Sequence, residues 1–165
     1  MSEFVKEENE SFIIFTLKGS LFGIHAMQVR EILRVPEITP LPQFFSFMEG
    51  VVNVRGRVLP VLDLRKRFRL PAENTVSSRL LIIRLPKVLV GLIVDSVKEV
   101  IGISVTAIQK PVETEIEGLN LYGLSGIARV GKDLIFLPDF TSILKVEEQD
   151  QLQAIHRRKE SVPRH

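Results

Sequence analysis

Residues 12–33 read FIIFTLKGSLFGIHAMQVREIL and residues 80–101 read LLIIRLPKVLVGLIVDSVKEVI. Laid over each other at a shift of 68, without a gap, six of the 22 pairs are identical: Ile14/Ile82, Leu17/Leu85, Leu21/Leu89, Gly23/Gly91, Val29/Val97 and Glu31/Glu99. Nine more keep their class, including Arg30/Lys98, Ile32/Val100 and Leu33/Ile101. A second block, Gly50–Leu64 on Gly126–Phe140, aligns at a shift of 76 and ends on Asp63 and Asp139. The eight extra residues fall between Ile108 and Tyr122, where Pro111, Glu113, Glu115 and Glu117 cluster. The chain therefore carries one structural unit twice.

The unit is strand-rich. Phe12–Leu17, Arg57–Leu62, Leu80–Leu85 and Val88–Val94 are short runs of Val, Ile, Leu and Phe bounded by Gly, Pro, Ser or a charge. Gly19-Ser20 and Pro86-Lys87 mark tight turns, and Gly56 and Gly131-Lys132-Asp133 mark hairpin tips. Helix is confined to short turns near His25, Phe45–Gly50 and Asp139–Lys145, and to a polar stretch from Glu147 to Lys159 that has little reason to pack. About five short strands per copy suit a small closed barrel, which also leaves no open sheet edge. A barrel of ~65 residues is marginal alone, so two in a 165-residue chain are expected to share a core. The expected fold is mainly β: residues 10–146 form a single domain of two similar barrel subdomains, and residues 147–165 form a polar tail, helical or disordered.

Composition narrows the chemistry. The chain has no cysteine, which removes disulfides, thiolate metal sites and cysteine nucleophiles. His25, His156 and His165 have no metal-ligand spacing, and no phosphate-cradling or dinucleotide motif occurs. Gly123-Leu124-Ser125-Gly126-Ile127 approaches a nucleophile elbow but ends on Ile127 where glycine is required. Asp63 and Asp139 are equivalent in the repeat, which fits turn-capping better than a catalytic pair. Four glutamates among the first ten residues stand where a secretory signal would have a basic region, so none is expected, and the longest apolar run, Val88–Val94, is far short of a membrane span. A cytoplasmic protein with no cofactor and no membrane insertion is expected. The 22 basic residues against 20 acidic ones leave a small-barrel nucleic-acid binder as the alternative, weakened by the absence of tryptophan and a single tyrosine.

Arg55 stands out, because its repeat position holds Gly131. Around it runs Gly50-Val51-Val52-Asn53-Val54-Arg55-Gly56, followed by Pro60-Val61-Leu62-Asp63-Leu64-Arg65. This stretch resembles the signature of the CheW family of bacterial chemotaxis adaptors. Phe22-Gly23-Ile24, Val29-Arg30-Glu31-Ile32, Val90-Gly91-Leu92-Ile93-Val94-Asp95 and Leu124-Ser125-Gly126 extend the match over residues 12–145. Two departures are Phe45, where the family usually has proline, and Val54 in place of the commoner leucine.

The resemblance implies two SH3-like five-stranded barrels around a shared core, and no catalysis. It implies an adaptor coupling the cytoplasmic tips of methyl-accepting chemoreceptors to the regulatory domain of a CheA-type histidine kinase, associated with receptor arrays through these partners. It maps partner contacts onto Val29, Glu31, Gly50, Arg55, Leu80, Gly91, Val97 and Val100. Glu31 and Arg55 carry most weight, being charged residues in matched motifs. Simple alternation puts Val97 and Val100 on opposite faces of their strand, so both can be interfacial only if that strand bulges or lies between two partners.

Overall fold

The computed structural model describes residues 9–42, 45–110, 123–140, 144–145, 148 and 150–155. The acidic stretch 111–122 and the basic residues after Ile155 lie outside these.

Why the strands are apolar without alternation is visible in where successive side chains go. In β1 (Asn9–Leu17), Phe12 and Ile14 join a cluster with Ile103, Ala128, Ile135 and Leu137. Their neighbours Ile13, Phe15 and Leu17 point the other way, into a larger cluster with Phe22, Leu62, Leu81 and Val90. The repeat-equivalent β6 (Arg79–Arg84) does the same: Leu80 and Ile82 enter a third cluster, while Leu81 and Ile83 enter the large one. Each strand thus buries one face inside its own subdomain and the other in the core between subdomains, so both faces are apolar. The fold is mainly β, with two subdomains sharing that central core.

The other strands are β2 (Ser20–His25), β3 (Val29–Arg34), β4 (Met48–Val54), β5 (Arg57–Asp63), β7 (Leu89–Val94), β8 (Ser96–Ser104), β9 (Ile108–Gln109), β10 (Leu124–Val130) and β11 (Asp133–Pro138), with a short helix α1 (Leu64–Arg67). One sheet has the order β8-β1-β2-β11-β10-β9 and the other β3-β6-β7-β5-β4. Two sequence expectations are corrected here. The hydrogen-bond ladders end at β8 and β9 in one sheet and at β3 and β4 in the other, so neither barrel closes by continuous pairing among the described residues. Nor does each copy form its own barrel. The hairpin β1–β2 of the first copy is inserted between β8 and β11 of the second, and the hairpin β6–β7 of the second between β3 and β5 of the first. The exchange is symmetric down to register: Ile135 pairs in parallel with Leu21 and Val61 with Gly91, equivalent offsets in the two copies.

A buried ionic knot fastens this exchanged arrangement. Asp63 caps α1 by accepting the Arg65 amide, and Arg65 turns back to bond Asp63 through Nε and Nη2, both at 2.9 Å. Its remaining donors reach Asp95 Oδ1 at 2.9 Å, the Glu73 carbonyl at 2.8 Å and Asn74 Oδ1 at 2.7 Å. Asp95 accepts the Lys18 amide at 2.6 Å in the β1–β2 turn, so the knot links both subdomains and both copies. All five guanidinium donors are occupied although the side chain is fully buried. Burial works against the charge, but the hydrogen bonds and charges of Asp63 and Asp95 outweigh it and hold the Arg65 pKa above the ordinary value.

In the C-terminal segment it is the packing that differs from expectation. Residues 150–155 are helical, and Leu152, at 0% exposure, and Ile155 join the central cluster. Its two apolar residues lie three apart, one helical turn, which is enough to seat a short helix on the core.

Two outcomes are expected. Arg65→Met should lower unfolding free energy by about 3–5 kcal/mol, since it takes the cation away from the buried Asp63 carboxylate and the partly buried Asp95; Arg65→Lys should recover little, having three donors and no fork. Urea denaturation measures both, and a loss below ~1 kcal/mol for Arg65→Met would show the knot to be dispensable. Leu152→Ala should destabilise by about 2–5 kcal/mol. An unchanged melting midpoint for that variant would put the helix outside the core.

Candidate functional site

The hairpin β4–β5 turns on Arg55-Gly56, flanked by the pair Val54 and Arg57. Both turn residues have positive φ, 52° and 81°, the geometry that matches the twist of the strands. Asn53 Oδ1 accepts the Gly56 amide at 2.9 Å and pins the turn. Glycine or asparagine is the usual first residue there; a side chain such as arginine is disfavoured by about 1 kcal/mol. The equivalent turn of the second copy has Gly131, with φ 60°.

What Arg55 does with this position is visible across the sheet edge. Its guanidinium grips the Glu31 carboxylate in a bidentate pair, Nη1 to Oε2 at 2.7 Å and Nη2 to Oε1. Glu31 lies on β3 and Arg55 follows β4, the two strands left unpaired at the edges of that sheet. The ion pair is therefore a side-chain clasp over the seam where backbone pairing stops. Below it, Thr39 and Val51 form a single bridge with two amide bonds, 2.8 and 2.9 Å. Gly50 lets Thr39 approach: it has φ 145°, and a Cβ there would lie 2.8 Å from the Thr39 carbonyl carbon. Arg55 remains 75% exposed and Glu31 21%, so the clasp faces outward and keeps donors available.

The other sequence-derived positions divide by depth. Gly50, Leu80 and Gly91 are buried and offer no surface in this structure. A Cβ on Gly91 would come within 2.8 Å of Leu80 Cδ1, so this pair is interior packing. All three of these positions therefore lie beneath the surface. Val29 is half-buried against the central cluster. The bulge that would allow Val97 and Val100 to share a face exists: Phe15 pairs with Val97, Ile14 with Glu99 and Ile13 with Val100, so Lys98 is the extra residue. An equivalent bulge at Arg30 puts Val29 and Ile32 on one face of β3. Val100 is 62% exposed, whereas Val97 packs on the core. Ile32, the repeat partner of Val100, is also exposed and is absent from the sequence-derived set; its signal was the 32/100 pairing, paired apolar residues that alternation alone does not place on the surface.

Catalytic and metal chemistry finds no constellation among the described residues. No group of three His, Asp or Glu could hold an ion. Ser125 Oγ donates to the Leu137 carbonyl at 3.1 Å, and His25 lies against Phe12 with Nε2 3.2 Å from Glu10. The exposed large apolar residues are Met27, Ile32, Val76, Val100, Val105 and Leu134, none of them aromatic, so no base-stacking platform is present among the described residues. No helix among them is long and apolar enough to cross a membrane.

Comparison with known proteins agrees with this architecture. Residues 11–148 match the model of the CheW-like domain. The chain is 29% identical over 154 residues to the chemotaxis protein CheW of Treponema pallidum, covering 90% of this chain and 89% of that one. It is 30% identical to the chemotaxis protein CheW of Klebsiella aerogenes, covering 84% of each. The crystal structure of the scaffolding protein TtCheW from Thermoanaerobacter tengcongensis superposes with a TM-score of 0.78 at 30% identity, covering 86% of this chain and 96% of that one. With the exchanged hairpins, the shared core and the matched span in agreement, this chain belongs to the CheW-like domain family.

Proposed function

We propose that the chain is a non-enzymatic chemotaxis scaffold that couples the cytoplasmic tips of methyl-accepting chemoreceptors to the regulatory domain of a CheA-type histidine kinase. Family membership supports the scaffold role, and the names of its relatives supply the chemotaxis context. The observation that carries the site is the Glu31–Arg55 clasp. Arg55 takes an unfavourable backbone conformation where the equivalent turn has Gly131, and its side chain uses that position to hold Glu31, which supports a role for the side chain itself. Partner contact would run over Glu31, Arg55, Val29 and the β8 face bearing Val97 and Val100. Gly50, Leu80 and Gly91 would set the curvature beneath it. The site works by contact, in the cytoplasm and at receptor arrays through its partners, with no cofactor and no nucleic acid.

Arg55→Gly separates fold from function. It relieves about 1 kcal/mol of backbone strain and loses an exposed pair worth ~0–1 kcal/mol, so stability should change by less than about 1 kcal/mol in either direction. Kinase activation in a reconstituted receptor–kinase assembly should nonetheless fall sharply. Wild-type activation by Arg55→Gly would remove the clasp from the site. On β8, Val100→Asp should weaken binding to kinase or receptor by about 1–3 kcal/mol with the fold intact. Val97→Asp should instead lower the melting temperature, because Val97 touches the core. Calorimetric titration and thermal melts distinguish them, and unfolding of both variants would take the β8 face out of the site.

A further inference from the structure

The two copies put equivalent backbone positions on equivalent surfaces, so each sheet serves as a control for the other. On the second sheet, two shallow depressions adjoin, sharing Arg57 and Leu89. Five cations line them, Arg30, Arg55, Arg57, Arg84 and Lys87, with Glu31 the one acid. All five are exposed, and only Arg55 makes an ion pair among the described residues.

Their repeat counterparts are Lys98, Gly131, Asp133, Thr16 and Gly19, with Glu99 opposite Glu31. One cation and two acids thus stand where the second sheet has five cations and one acid. The apolar frame beneath does not change: Leu59, Ile82 and Leu89 correspond to Ile135, Ile14 and Leu21. A requirement of the fold would act on both sheets alike. Protection of an edge strand by a charge is such a requirement, and it accounts for Arg30 and Lys98, which occupy the same bulge on β3 and β8. It does not account for Arg57, Arg84 and Lys87.

Like charges gathered on one surface, four of them without an ion pair among the described residues, repel each other and raise the local potential. Four of the five are arginines, whose planar fork suits paired carboxylates. Half-buried Val54 and Leu89 lie between them and provide apolar contact, while neither depression contains an aromatic ring for stacking bases. We propose that this face docks an acidic surface of a partner protein, with Arg57, Arg84 and Lys87 steering the approach and the Glu31–Arg55 clasp at its margin. The proposal rests on the adaptor reading above for the existence of that partner.

The test measures association of the full chain with a purified receptor cytoplasmic fragment and with a kinase regulatory domain, from about 50 to about 300 mM salt. The double variant Arg84→Glu/Lys87→Glu is compared with wild type and with Lys132→Glu, a charge reversal at the hairpin tip of the other sheet. Thermal melting should match in all three, since these side chains are exposed. The double variant should associate with one partner about tenfold or more slowly at low salt, with dissociation little altered and the difference shrinking as salt rises. Lys132→Glu should behave as wild type. If wild type binds the partners and the double variant binds both equally fast, the steering face is refuted and the adaptor function stands. If wild type binds neither, the adaptor function fails and this proposal with it. Tighter retention of wild type on duplex DNA than on either protein would overturn the acidic-protein assignment in favour of a nucleic acid.

Discussion

The guanidinium of Arg65 is the constraint around which the rest is arranged. A buried cation is tolerated only with its donors filled and its charge matched, and here that requirement draws four segments to one point. Asp63 comes from the end of β5, Asp95 from the link between β7 and β8, and Glu73 and Asn74 from the loop before β6. Lys18 enters through Asp95 from the β1–β2 turn. Hydrophobic contact fills the space between the sheets but is indifferent to register. The directional bonds of the knot specify how one subdomain sits on the other.

The same logic of divided labour runs through the second subdomain. Backbone pairing builds the sheet from β3 to β4, and where it stops, a glycine-permitted bridge at Thr39 and an ion pair at Glu31 take over the seam. The clasp is exposed enough to be weak as a stabiliser and geometrically definite enough to present a fixed charge pattern. That combination suits an element whose contribution is to recognition. The interior glycine Gly91, by contrast, acts through volume, leaving room for Leu80 where a methyl group would collide.

Much of this was legible in the residues. The repeat gave the pairing of strands with their equivalents, the hairpin tips at Gly56 and Gly131, and the singularity of Arg55. It also posed the β8 bulge as a condition that the structure meets at Lys98. The hairpin exchange was not legible, because Ile13 or Phe15 reads identically whether its neighbour comes from its own copy or the other. The burial of Leu80 was hidden for a similar reason: continuous apolar runs do not say which residues face a partner and which face a core. The packing of the terminal helix on the core escaped because two apolar residues, Leu152 and Ile155, in a polar stretch form too short a stripe to register as periodic. The knot was missed because Asp95 lies far along the chain from the neighbouring Asp63 and Arg65, and only Asp63 announced itself, as a cap.

The exchange of hairpins also governs the order in which the molecule can assemble on the ribosome. The second sheet, β3 to β7, is complete once residue 94 has emerged, whereas β1–β2 must wait for β11, which ends at Pro138. At synthesis rates of about 5–20 residues per second, the hairpin waits roughly 6–23 s for its last neighbour, from the emergence of His25 to that of Pro138, with Phe12 and Ile14 incompletely covered. Long-range pairing of this kind is slow to form and open to misassociation while it waits. The hairpin β1–β2 thus waits on strands made long after it, and the interval is one in which a hairpin from another nascent copy competes for the same slot.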